Sequence, residues 1–170
     1  MGERQRDVRR WPTGCVAKKN QRFPVQVTIT FNNLSNMNNT SIVNGRRVAS
    51  DSITQLGDNE IFVFGSNIQG MHGGGAAWYA NKHFGAEWGV GEGLTGSTYA
   101  LPTMEGKSSL QHAVKNFIAC ARQHPELTFL VTAVGCGIAG YTAAEVAPLF
   151  RDAASLENVY LPQLFWDVMG

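Results

Sequence analysis

The 170-residue chain lacks long apolar runs, and their absence excludes several classes of protein. No stretch reaches the roughly 18 consecutive apolar residues that a membrane-spanning helix needs. The first ten residues carry arginines and two acidic residues, but no serine and no apolar block before a small-residue cleavage site. This composition predicts neither a secretory signal nor an organelle transit peptide. We therefore expect a cytoplasmic protein with no membrane partner.

Cysteine and histidine are also scarce. The three cysteines, Cys15, Cys120 and Cys136, are odd in number and widely spaced, so a disulfide framework is not expected. The sequence has no Cys-x-x-Cys pair or Cys/His cluster, and its four histidines share no metal-ligand spacing. These features predict a reduced protein with no metal and no cofactor.

The formal net charge of +1 averages over two unlike parts of the chain. Residues 1–47 carry nine Lys/Arg against two acidic residues, a net charge of +7. Residues 48–170 carry five Lys/Arg against eleven acidic residues, a net charge of −6. We interpret residues 1–46 as a basic, polar N-terminal extension, in part disordered, and residues 47–170 as one α/β domain.

Short apolar runs alternate with glycine-rich turns and helical patterns along the second part of the chain. Residues 61–64, 98–101, 128–134 and 158–161 have the pattern of short buried strands. Helices are predicted at residues 75–84, 108–123 and 142–154, the last beginning with the capping box Thr142-x-x-Glu145. Residues 25–31 also have a strand pattern, and residues 32–45 are interpreted as a loop or linker. The alternation predicts an α/β sandwich with a mixed, largely parallel sheet.

Fifteen of the 19 glycines lie between Gly57 and Gly140, mostly at the ends of predicted strands. Two loops stand out, residues 65–75 (GSNIQGMHGGG) and residues 135–140 (GCGIAG). Ligands of open α/β sheets bind at the carboxyl ends of the strands, and glycine lets backbone N–H groups converge on an anion. The pair of loops predicts a cleft that holds a diphosphate from both sides; tight turns alone are the alternative. The first loop does not fit G-x-G-x-x-G, and neither loop has the lysine of a P-loop.

These loops carry a resemblance to the macro domain superfamily. IFVFGSNIQGMHGGGAA looks like the first macro signature, an apolar strand that ends in Asn and is followed by a triple glycine. TFLVTAVGCGIAGYTAAEVA looks like the second, and GEGLTGSTYALPT resembles the stretch that links them. The order and spacing agree over roughly residues 47–170. NVYLPQLFW at the end suits a subgroup of small bacterial and phage macro-like proteins that begin with an F-G-S-N strand. The resemblance implies a three-layer α/β/α sandwich that binds ADP-ribose or a related nucleotide.

The resemblance also implies which residues hold the ligand. Asp51 corresponds to the acidic residue that accepts a hydrogen bond from the adenine amino group, and Asp58 competes for that role. Asn67 corresponds to the asparagine that contacts the distal ribose. The remaining matches are Gly73, Gly74 and Gly75 in the first loop and Gly135, Cys136, Gly137, Ile138, Ala139 and Gly140 in the diphosphate loop. Tyr141 either flanks the ligand or packs under this second loop.

Catalytic residues are matched less well than binding residues. Macro domains that hydrolyse ADP-ribose esters often carry Asp two residues after the triple glycine, and here that position is Ala77. Asn67 and His72 are the candidates for catalysis, since both lie in the first loop and an imidazole can act as a base. A solvent-facing loop histidine is the alternative for His72. The domain is therefore interpreted as an ADP-ribose binder or a hydrolase of the ADP-ribosyl linkage.

Two other functions are compatible with the sequence. The basic extension carries Trp11 and Phe23 among its Lys and Arg residues, an arrangement found in arms that bind nucleic acid, although a solvated tail or a non-native addition has the same composition. The domain would then be a docking module. Alternatively, the cleft serves a phosphoesterase for another nucleotide. The net charge of −6 does not exclude an anionic ligand, because physiological salt screens charges beyond about 8 Å.

Overall fold

The computed structural model describes residues 38–170, which form an α/β sandwich around one seven-stranded sheet. The strands are β1 (Thr40–Val43), β2 (Arg46–Ala49), β3 (Glu60–Ser66), β4 (Gly93–Thr95), β5 (Thr98–Pro102), β6 (Thr128–Val131) and β7 (Val159–Pro162). The helices are α1 (Gly75–Tyr79), α2 (Lys107–Gln123), α3 (Ala143–Val146), α4 (Arg151–Ala154) and α5 (Gln163–Met169). A π-helical turn, Ala80–Phe84, continues α1, and a 3₁₀ turn, Ala147–Phe150, joins α3 to α4.

The strand order across the sheet is β1-β2-β7-β6-β3-β5-β4. The central strands β2, β7, β6, β3 and β5 run parallel, and the edge strands β1 and β4 are antiparallel to their neighbours. The predicted mixed, largely parallel sheet is therefore confirmed. Because parallel strands end at the same edge of a sheet, the loops that follow β3, β5 and β6 lie next to one another.

The central strands are buried on both faces, because successive side chains of a strand point to opposite sides of the sheet. In β3, Ile61 and Val63 pack into a larger core that also contains residues of α2, α3, α4 and α5. Phe62 and Phe64 pack on the opposite face, into a smaller core that includes Ala80 of the π-helical turn. The short, wholly apolar strand pattern is thus explained by three layers, with helices on both sides of the sheet.

The helix predicted at residues 142–154 is interrupted. Its capping box is present, and the carboxylate of Glu145 accepts hydrogen bonds from the N–H and the hydroxyl of Thr142 at 2.9 and 3.0 Å. The chain then passes through the 3₁₀ turn that contains Pro148. Proline has no N–H to donate and its ring crowds the preceding turn, so the prediction of one continuous helix is wrong.

The sheet begins before the domain boundary that the sequence predicts near residue 47. Strand β1 pairs with β2 as an antiparallel hairpin, so the loop interpretation of residues 32–45 is wrong at these four positions. The turn between the strands is Asn44-Gly45, with φ of 50° and 77°. Asn-Gly between two strands is a strong hairpin signal, because both positions of this turn need positive φ.

The predicted N-terminal extension, residues 1–46, lies largely outside the described residues, as does the strand predicted at residues 25–31. Helix α5 was not predicted, and it covers the larger core with the fully buried ring of Phe165. Beside it, Trp166 donates its indole N–H to the carbonyl oxygen of Arg47 at 2.9 Å. Among residues 38–170, no helix has the length and apolar character that crossing a membrane requires.

Candidate functional site

A cleft opens at the edge of the sheet where β3, β5 and β6 end. The chain leaves β3 toward α1 on one face of the sheet, and it leaves β6 toward α3 on the other face. Adjacent strands whose connections part to opposite faces leave a crevice between them, which is where open α/β sheets bind ligands. The two glycine-rich loops form the two walls of this crevice, as the sequence predicts.

The cleft has a volume of about 570 Å³, which falls in the range of small-molecule pockets. Its lining comprises Gly65, Ser66, Asn67, Met71, Gly73, Gly74, Gly75, Ala76, Ala77, Thr103, Met104, Thr132, Ala133, Val134, Gly135, Gly137, Ile138 and Ala139. Among these described residues none carries an ionisable side chain. The described lining can therefore meet charge on a ligand only with backbone dipoles or with hydroxyl and amide groups.

Both walls contain backbone N–H groups that have no hydrogen-bond partner among the described residues. The N–H groups from Gly73 to Ala77, in the first wall, make no hydrogen bond with another described residue. The same holds for the N–H groups from Gly137 to Ala139 in the second wall. Peptide N–H groups that converge in this way make a concavity that binds anions.

Three glycines of these walls are not required by the chain's own conformation or packing. Gly74 is extended, with φ of −159°, and Gly73 and Gly137 also lie outside the positive-φ region. A Cβ atom added at any of the three would meet no heavy atom within 4 Å. Such a side chain would enter open space, so glycine at these positions leaves the backbone open to close approach by a ligand.

The floor of the cleft is built from hydroxyl groups that have already donated their protons. The hydroxyl of Thr132 donates to the carbonyl oxygen of Val63 at 2.8 Å, and that of Thr103 donates to the carbonyl oxygen of Ser66 at 3.3 Å. The hydroxyl of Ser66 donates to the carbonyl oxygen of Asn67 at 3.1 Å. Each oxygen keeps acceptor capacity, so the floor favours a ligand with hydroxyl or amino donors.

Thr103 and Thr132 were not predicted as site residues. A signal for both is present in the sequence, since each is the first residue after a buried parallel strand, β5 or β6.

Glu105 is a further residue that was not predicted. Its carboxylate accepts hydrogen bonds from the N–H groups of Ile68 and Met104, and no sequence pattern indicates this contact.

Asn67 lies in the cleft, but its side chain also organises the first loop. Its amide oxygen accepts a hydrogen bond from the N–H of Met71, and its amide nitrogen donates to the carbonyl oxygen of Met71, both at 3.0 Å. One amide N–H and part of the oxygen's acceptor capacity remain for a ligand. Asn67 is therefore placed to contact a ligand while it shapes the wall.

His72 lies behind the first wall rather than on it. Its side chain is only 1% exposed, so the solvent-facing interpretation is wrong. The ring makes edge contacts with Phe64 and Trp88, at centroid distances of 5.1 and 6.2 Å. Its Nε2 lies 3.0 Å from the carbonyl oxygen of Glu87, which can only accept, so Nε2 carries the proton of the neutral ring. Burial lowers the pKa of His72, while backbone contacts with Glu87 and Val90 oppose that shift.

The second loop divides between lining and supporting residues. Gly135, Gly137, Ile138 and Ala139 line the cleft, whereas Cys136 and Tyr141 pack against the larger core. Burial raises the pKa of the Cys136 thiol, which leaves less of the nucleophilic thiolate at neutral pH. Gly140 closes the turn by donating its N–H to the carbonyl oxygen of Gly137 at 3.0 Å.

The two acidic residues considered for the adenine contact do not line the cleft. Asp51 lies just after β2, and Asp58 just before β3; both are exposed. Ala77, the position at which the resemblance leads one to expect a catalytic Asp, does line the cleft. In the part of the chain described, no group of three or more His, Cys, Asp or Glu residues could hold a metal ion.

The chain was compared with protein-family models, curated proteins and solved structures. No family model, no curated protein and no solved structure matches it.

Proposed function

We propose that the cleft binds ADP-ribose or an ADP-ribosylated group, as the resemblance to macro domains implies. The observation that carries this proposal is the pair of glycine walls, which line one cavity from two sides and whose N–H groups make no hydrogen bond with another described residue. A diphosphate has anionic oxygens on both phosphorus atoms, so both walls can donate to it at once. Gly73, Gly74 and Gly137 support the proposal because the fold alone does not require them.

The rest of the cleft suits the other parts of such a ligand. The acceptor oxygens of Thr103 and Thr132 complement ribose hydroxyl groups, which are hydrogen-bond donors. Around the cleft, Met71, Met104 and Ile138 are 58%, 48% and 96% exposed. These apolar side chains provide the surface on which an aromatic base is buried from water.

The geometry supports binding better than hydrolysis by side-chain acid–base catalysis. General acids and bases are ionisable groups within hydrogen-bond reach of the reacting atoms, and the described lining offers none. Ala77 leaves the usual acidic position as a methyl group. We therefore propose a binding module, and turnover of an ADP-ribosylated protein or nucleic acid would favour the hydrolase alternative instead.

Calorimetric titration of the full chain with ADP-ribose tests the proposal. Gly73→Ala and Gly137→Ala place a methyl group in the cleft without meeting the chain itself, so each should weaken binding about tenfold or more while the protein stays folded. Gly57→Ala is the matched control, because its Cβ would make only ordinary contact with Glu60, away from the cleft.

Three results would count against this function. The proposal fails if a folded sample shows no heat at millimolar ADP-ribose. It also fails if the two cleft variants bind as tightly as the Gly57→Ala control. Preference for a different nucleotide in a ligand panel would point to the phosphoesterase alternative.

A further inference from the structure

His72 is a buried titratable residue that sits in the chain between two residues of the cleft lining. Met71 and Gly73 both line the first wall, while the imidazole between them turns away from the cleft into the protein. The position of the first wall at Met71 and Gly73 therefore depends on the position of the His72 imidazole.

We propose that His72 is a positioning residue that holds the first wall in its binding conformation only while its imidazole is neutral, so that the cleft releases its ligand in mildly acidic solution. This inference rests on the proposed function, because it concerns the same cleft. It assigns no catalytic role to His72.

The surroundings of the ring suit the neutral form. Phe64 and Trp88 contact it edge-on, and its one proton, on Nε2, is donated to the carbonyl oxygen of Glu87. The other nitrogen, Nδ1, is buried and makes no hydrogen bond with a described residue. A second proton would place a positive charge in this apolar setting, and the cost of burying that charge exceeds what the backbone contacts with Glu87 and Val90 return. The pKa of His72 is lowered, as this geometry requires.

Among the described residues, no neighbouring charge offsets this cost. The ionisable side chains on the segments around the ring are Lys82 and His83 of the π-helical turn, Glu87 and Glu92 of the following segment, and Glu105 beyond β5. None of these side chains is among the causes of the pKa shift: burial lowers the pKa, and the two backbone contacts oppose that shift. The described part of the chain therefore gives the ring no ionic partner that would stabilise its charged form in place.

Protonation therefore favours conformations in which the ring leaves its cage. Because Met71 and Gly73 flank the ring in the chain, such a movement displaces the N–H groups of the first wall. The expected result is a loss of affinity as the pH falls, with no change in the ligand, since a diphosphate diester keeps its charge over the same range.

The test is calorimetric titration of the full chain with ADP-ribose between about pH 8 and about pH 5. The wild-type protein should bind about tenfold more weakly at the acidic end, since a proton taken up on release lowers affinity by up to tenfold per pH unit. His72→Gln keeps an N–H donor at the position of Nε2 and cannot titrate, so its affinity should be independent of pH. His112→Gln, at an exposed position of α2, is the matched control and should keep the wild-type pH profile.

The possible outcomes distinguish failure of the proposed binding function from failure of the role proposed for His72. Absence of binding at pH 8 overturns the proposed function. Binding at pH 8 that does not weaken at pH 5, or that weakens equally in His72→Gln, overturns the role of His72. If His72→Gln does not fold, NMR titration of the wild-type imidazole decides: protonation of His72 over the pH range of the affinity loss supports the inference, and a ring that stays neutral through that loss overturns it.

Discussion

Glu105 accepts a hydrogen bond from the backbone N–H of Ile68 at 2.7 Å, across 37 positions of the chain. Its second carboxylate oxygen accepts from the N–H of Met104 at 3.2 Å. Ile68 belongs to the first glycine-rich loop, and Met104 follows β5, so one carboxylate joins two of the three strand ends that form the cleft. Hydrogen bonds to a charged acceptor are the stronger ones, and this pair restrains the spacing of the two segments.

Removal of this carboxylate should loosen the cleft without unfolding the protein. We expect Glu105→Ala to weaken ADP-ribose binding by up to about 30-fold, because two hydrogen bonds to a partly exposed charge are lost and each is worth on the order of 1 kcal/mol. Glu105→Gln retains one good acceptor, so its affinity for ADP-ribose should lie between those of the wild type and Glu105→Ala. Glu92→Ala, which removes a carboxylate hydrogen-bonded to Asn116, is the control. Equal affinities for Glu105→Ala and the control would show that Glu105 does not restrain the cleft.

The glycine at position 70 is required by both backbone conformation and packing. Its φ is +66°, and a Cβ there would lie 2.3 Å from the backbone nitrogen of Val90. Gly89 has a φ of +89° but open space around it. A substitution there therefore measures the cost of the backbone conformation without that of a steric clash. We expect Gly89→Ala to lower the free energy of unfolding by about 1–2 kcal/mol. Gly70→Ala should lower it by a further 1–3 kcal/mol or so through overpacking, as measured by urea denaturation. Equal losses of unfolding free energy in Gly70→Ala and Gly89→Ala would show that overpacking contributes nothing at position 70.

The capping box of α3 predicts a defined pH dependence. The N–H and hydroxyl of Thr142 hold the pKa of Glu145 below its usual value of 4.5. A carboxyl with a lowered folded-state pKa stabilises the fold above its unfolded-state pKa, and this contribution disappears as the pH falls through the folded-state pKa. The wild type should therefore be more stable than Glu145→Gln at neutral pH, with the difference shrinking below about pH 4.5. Thermal unfolding of the wild type and of Glu145→Gln at a series of pH values measures this difference in stability.

The same experiment on Glu157→Gln controls for the loss of one exposed negative charge. A gap of the same size and pH dependence in that variant would mean that general charge, and not the cap, stabilises the protein.

Cys136 should react slowly with alkylating reagents although its loop lies beside the cleft. Burial raises the pKa of its thiol, and the thiolate is the nucleophile. At neutral pH we expect iodoacetamide to modify Cys136 more slowly than a free cysteine peptide, with the rate rising as the pH increases. Mass spectrometry of the modified peptide distinguishes Cys136 from the buried Cys120. A rate equal to that of the peptide would contradict the effect of burial.

The strands and the main helix could be predicted because their signals are local. Ile61 to Phe64 is apolar without interruption, and the structure buries this run on both faces of the sheet. Helix α2 could be predicted because its apolar positions recur at helical spacing. It begins at Lys107, one residue before its predicted start. Strand β1 was missed because its side chains are largely exposed, so it has no apolar pattern, and only the Asn-Gly turn marks it.

The site was predicted in part. The two glycine loops and Asn67 meet at one cleft, because topology brings the ends of β3 and β6 together. The direction of each side chain could not be predicted. Loop residues have no regular periodicity, so nothing in the sequence indicates that His72 turns inward while Met71 and Gly73 line the cleft.

The sequence by itself determined the alternation of strands, glycine loops and helices, because backbone propensity and apolar patterning act over a few neighbouring residues. It also predicted that the two glycine loops follow strands at the same edge of the sheet. Only the tertiary structure decided which atoms form the cleft: hydroxyls of Thr103 and Thr132 on the floor, unpaired N–H groups on the walls, and His72 behind them. The physical reason is that burial and the satisfaction of polar groups depend on segments far apart in the chain, as the contact of Glu105 with Ile68 illustrates.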